Sequence, residues 1–128
     1  MSYSFPPGQS VINLNLNVVA SRLQKEKSDV IIADGTEQTL LEYIGLGKIS
    51  GNIDLSNIQV GDTVILKQYI QVTVGGGWKK YMSESYSGLQ ANPLVYITPK
   101  ETDFGIKITL EQTAGVMRNY EYNFMKEI

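Results

Sequence analysis

Apolar and polar residues take turns along several stretches of this chain, and that period of two is what most constrains its fold. Over residues 62–74, Val64, Leu66, Ile70, Val72 and Val74 alternate with Thr63, Lys67, Gln71 and Thr73. Further on, Phe104, Ile106, Ile108 and Leu110 alternate with Gly105, Lys107, Thr109 and Glu111. Successive side chains of a strand point to opposite faces, so each stretch predicts a strand with one buried and one wet side. Turn residues close these stretches at short intervals. Asp34-Gly35, Gly45-Leu46-Gly47, Gly75-Gly76-Gly77 and Ala114-Gly115 all punctuate.

The remaining strands follow from the same reading. Residues 30–33, 38–44, 48–55, 94–98 and 120–124 each read as a strand. Residues 62–74 and 78–86, joined at the triple glycine, form the clearest hairpin. Gly51 lies inside a strand, which signals a bulge or a close approach of another backbone. Pro99 marks a sheet edge or a strand end. The expected fold is all-β: an antiparallel two-sheet sandwich, a single jelly roll of about eight strands with an extended N-terminal arm. No internal repeat of fixed period is evident.

The N-terminal region is the ambiguous part. Ile12, Leu14, Leu16 and Val18 fall on one side and Asn13, Asn15 and Asn17 on the other, which is strand periodicity. A helical stripe of Ile12, Leu16, Val19 and Leu23, capped by Ser10, competes with it, although three Asn residues are poor helix formers. The preferred division is an arm or first strand with a short helical turn over residues 20–27, making residues 1–28 one unit and the sandwich domain 29–128.

At 128 residues the chain suits one domain, burying roughly two-thirds of the surface its unfolded form exposes. It contains no His and no Cys. That removes imidazole-assisted nucleophiles, disulfides and the usual zinc and copper ligands. The net charge of −2 comes without a basic block, so specific nucleic-acid binding is not expected. No secretory signal and no apolar run of membrane-spanning length occur, so no membrane partner is expected. Asp54, Asp62 and Asp103 are the only sketch of a calcium site, and their surroundings read better as turns. Glu84, Glu111 and Glu121 stand on strands, but nothing in the sequence fixes the separation that glycoside chemistry needs. The expectation is a non-enzyme with no cofactor.

Two surfaces remain. Tyr69, Trp78 and Tyr81, with Tyr86 and Tyr96 nearby in sequence, suit either a stacking platform for sugar rings or a sandwich core. The termini suit contacts between subunits by strand addition: Ile12, Leu14, Leu16 and Val18 in the arm, and Tyr120, Tyr122 and Phe124 near the C-terminus. Both termini can equally pair within their own sandwich.

Residues 47–57, Gly-Lys-Ile-Ser-Gly-Asn-Ile-Asp-Leu-Ser-Asn, followed by Gly61-Asp62-Thr63-Val64, resemble small jelly-roll structural proteins of viruses, archaeal viruses in particular. Tyr86-Ser87-Gly88 and residues 105–115 share that style. The resemblance implies a capsid, turret or decoration protein that assembles into multimers, with itself and other virion proteins as partners and the virion, otherwise the cytoplasm, as its location. It implies no catalytic residue. Many major-capsid jelly rolls are larger, which leaves shell and decoration roles both open. The alternative is a carbohydrate-binding or adhesion module.

Overall fold

The structure, a computed structural model, describes residues 23–127. They form eight strands: β1 (Leu23–Ile32), β2 (Glu37–Tyr43), β3 (Gly47–Asp54), β4 (Thr63–Gln71), β5 (Lys79–Ser87), β6 (Leu94–Thr102), β7 (Gly105–Ala114) and β8 (Asn119–Glu127). All pairings are antiparallel, in two sheets ordered β1-β8-β3-β6 and β2-β7-β4-β5. First pairs with last, second with seventh, third with sixth and fourth with fifth. The chain is thus one long hairpin wrapped around a core, which is the jelly-roll arrangement.

Alternation decides which side chains enter that core. Ile49, Ile53 and Leu55 come from β3 and its exit, and Tyr120, Tyr122 and Phe124 from β8. Ile106, Ile108 and Leu110 of β7 and Val64 and Leu66 of β4 face them from the other sheet. At the first turn the Asp34 carboxylate accepts hydrogen bonds from the backbone N–H and the hydroxyl of Thr36, which fixes the exit from β1. No helix among the described residues is long and apolar enough to cross a membrane.

Four sequence expectations need correction. The helical turn does not form at residues 23–27, which open β1 and pair with residues 124–127 of β8. The sandwich therefore already includes Leu23, ahead of residue 29. The apolar stripe ending at Leu23 gave that stretch a helical look, but the backbone pairing offered by β8 overrides weak local preference. The strand expected over 62–74 ends at Gln71, leaving Val72 and Val74 in an open loop, 66% and 82% exposed. Finally, Tyr120 and Phe124 are fully buried and Tyr122 is 5% exposed, so these rings fill the chain's own core and form no seam toward a neighbour. Ile12, Leu14, Leu16 and Val18 lie outside the described residues.

Candidate assembly surface

The side of the sandwich where β5 and β6 end their sheets is open. Among the described residues each pairs on one side only, β5 with β4 and β6 with β3. Every residue of β5 except Tyr86 is exposed, so this strand is poorly covered on both faces. Between the two edges lies a cleft of about 480 Å³. Leu66, Val95 and Ile97 give it an apolar interior, Tyr81, Met82 and Tyr86 line it from β5, and Pro99 and Lys100 line it from β6.

A bulge shapes the cleft. The β4–β5 register slips between Gln68 and Tyr69, and the extra residue is Tyr81. Bulges re-aim side chains, and here Tyr81 turns toward the interior. Its hydroxyl donates to Gln68 Oε1 at 2.8 Å, while Gln68 Nε2 donates to Met82 Sδ at 3.0 Å. The Lys100 ammonium sits 5.3 Å from the centre of the Tyr81 ring, a cation–π distance. Burial pushes the Tyr81 phenol up to about 12, so it remains a neutral donor. Burial, then the Glu84 charge, also pushes the Tyr86 phenol up.

The three side chains expected to form one ligand platform are divided. Only Tyr81 reaches the cleft. Tyr69 and Trp78 stand together on the outer face of the β2-β7-β4-β5 sheet, with Lys107 Nζ 5.0 Å from the Tyr69 ring and 5.2 Å from the Trp78 ring. Tyr69 donates to Glu37, which also accepts from Thr109 Oγ1 at 2.7 Å. Lys67 bridges Glu37 and Glu111 at 3.6 Å and 3.3 Å. Burial would raise the Glu37 carboxyl, but the hydroxyls of Tyr69 and Thr109 and the Lys67 charge outweigh it and hold the group below its ordinary range. This face is internally paired, and the ammonium of Lys107 already lies against the rings that a sugar would stack on.

The strand-borne acids do not converge either. Glu84 lines the cleft, Glu111 is tied to Lys67, and Glu121 lies in a shallow polar depression on the opposite sheet with Asn52, Asp54 and Asn123. Among the described residues no group of three or more acids is placed to hold a metal ion. Of the carboxylates considered for calcium, Asp54 accepts from the Ser56 backbone and hydroxyl, and Asp62 from three donors of the surrounding loops.

Gln68, Met82 and Lys100 were not singled out from the sequence. One signal was available: Gln68 is a polar residue in the inward row of β4, between Leu66 and Ile70, where a hydrogen-bonding partner must be supplied. Its partner, Tyr81, comes from a bulge that sequence spacing does not announce. No protein-family model matches this chain, no curated protein matches it, and no solved structure matches it.

Proposed function

We propose that this chain is a non-enzymatic structural protein that self-associates or decorates a larger particle, a capsid or virion protein being the form its sequence style favours. The observation that carries the reading is the open β5–β6 side: two strand edges without neighbours among the described residues flank a cleft with apolar walls. Unpaired edges beside apolar surface are where β proteins add another strand. The absence of His and Cys from the sequence and the scattered acids agree with a protein that works through its surfaces.

Light scattering of the purified protein over a range of concentrations, with negative-stain images of the same samples, tests this. Regular particles or a stable symmetric oligomer are the expected result. A strict monomer at the highest concentration, unable to bind any preformed particle from its source, overturns the proposal.

A further inference from the structure

Among the described residues the sandwich has four edge strands, and three carry devices against pairing. β1 holds Lys25, Glu26, Lys27 and Asp29 and a register slip between Lys25 and Lys27. β2 holds Glu37 and Glu42 and slips between Thr39 and Leu41. β5 starts with Lys79 and Lys80 and puts Glu84 at the cleft. Charges and bulges of this kind keep edges from recruiting strands. β6 is different over residues 94–98, Leu-Val-Tyr-Ile-Thr, which contain neither a charge nor a proline. Its guards, Pro99, Lys100 and a register slip against β3 between Ile97 and Lys100, come only afterwards. Leu94 and Tyr96 are 60% and 59% exposed, whereas Val95 and Ile97 face the core.

One segment of the chain has the matching pattern. Over residues 12–18 the sequence is uncharged and alternates, Ile12, Leu14, Leu16 and Val18 taking turns with Asn13, Asn15 and Asn17. Placed beside residues 94–98, such a strand turns its aliphatic side onto Leu66, Met82, Tyr86, Val95 and Ile97, and its Asn side to water.

Length decides whose arm this is. Leu23, where β1 begins, shares a cross-strand row with Glu127, Lys48 and Glu101. The place beside β6 is one strand further, four inter-strand spacings from β1, or roughly 19 Å. From Val18 to Leu23 a fully extended chain spans at most about 18 Å. Residues 94–98 lie further still along the cleft. A chain therefore cannot lay this segment against its own β6 while β1 stays paired.

We infer that residues 12–18 of a second copy of this chain fill the β5–β6 cleft, adding as a strand to β6 at residues 94–98. This rests on the self-association proposed above and names its contact.

The absence of Cys makes a direct test available. Leu14→Cys is made in one chain and Val95→Cys in a second chain carrying a size tag, and the two are mixed and treated with a short bismaleimide, whose reach tolerates a shift of register. The expected product is a covalent heterodimer, suppressed by excess synthetic peptide of residues 9–21. Cross-linking confined to a single chain in the Leu14→Cys/Val95→Cys double variant overturns the second-copy assignment. Absence of any Leu14–Val95 cross-link overturns the cleft as the arm's acceptor. The mass of the wild-type protein, measured alongside, separates the two levels: an oligomer that fails to cross-link leaves self-association standing and removes this contact, and a monomer removes both.

Discussion

Gly51→Val is expected to lower the melting temperature by on the order of 10 °C and to leave much of the protein unfolded near physiological temperature. Gly51 is buried in the middle of β3, opposite Phe124 of β8 and Ile97 of β6. A side chain there would run into the Asn123 carbonyl oxygen and the Phe124 ring, with the Phe124 Cα only 3.0 Å from the added Cβ. Overpacking a core typically costs ~1–3 kcal/mol, and more where the neighbour cannot move. A carbonyl held in a central ladder is such a neighbour, so ~3 kcal/mol or more is expected for Val, with Ala already costly because the Cβ alone makes the clash. Thermal unfolding followed by far-ultraviolet circular dichroism checks it. Ser50→Ala, on the outer side of the same strand, serves as the control and should stay within about 0.5 kcal/mol of wild type. Equal stability of Gly51→Ala and wild type would mean that β3 and β8 do not approach as closely as described.

Gly51 also shows how much could be read before any coordinates. A glycine inside an alternating run already implied a bulge or a close backbone approach, and the second occurs: the β8 backbone fills the missing side chain's place, while the register slip beside Gly51 has its extra residue in β6, between Ile97 and Lys100. The central strands were legible because burial on one face imposes the period of two. The β4–β5 hairpin was legible because turn and strands signalled together. The first part of the edge strand β1 was not, since a strand that must discourage partners is written in charges, and its pairing with β8 is a property of the whole fold. Val72 and Val74 extended the alternation of β4 past its end, because periodicity alone cannot say where a partner strand stops. At the C-terminus the pattern put Tyr120, Tyr122 and Phe124 on one face but could not say whether that face met the chain's own core or a neighbour. The cleft was the least legible feature, because its walls come from three separate strands, β4, β5 and β6, and meet only through the sheet order.

Asp62→Asn should produce the second large effect and reveal itself by its pH dependence. Asp62 stands just before β4 with its side chain almost wholly buried. Its carboxylate accepts from the backbone N–H of Gln59 at 2.9 Å, the backbone N–H of Val116 at 3.0 Å and Nε of Arg118 at 2.8 Å. Its own backbone carbonyl accepts from the N–H of Gly88 at 3.0 Å. One residue thereby ties the β3–β4, β5–β6 and β7–β8 connections together at one end of the sandwich. Gly115 contributes by having no side chain, because a Cβ there would strike the Asp62 carboxylate. An Asn amide can replace one acceptor oxygen but turns donors toward a donor, and it leaves Arg118 without its counter-charge. A fall in melting temperature on the order of 10 °C at pH 7 is expected. The hydrogen bond from Arg118, then that from Gln59, holds the Asp62 carboxyl below its ordinary value of 3.8. The folded state therefore binds this proton more weakly than the unfolded state. The stabilisation is complete above about pH 4 and is lost as the pH falls through the folded value. The gap between wild type and Asp62→Asn should accordingly be constant from pH 7 to about 5 and close as the solution is acidified below 4. Glu37, also held low, contributes its own acid loss in both proteins, so Glu37→Gln is made in both backgrounds to remove it from the comparison. A gap that persists unchanged to pH 2 would show that the ionised form of Asp62 contributes nothing to holding the three connections, and that only the shape of the side chain matters.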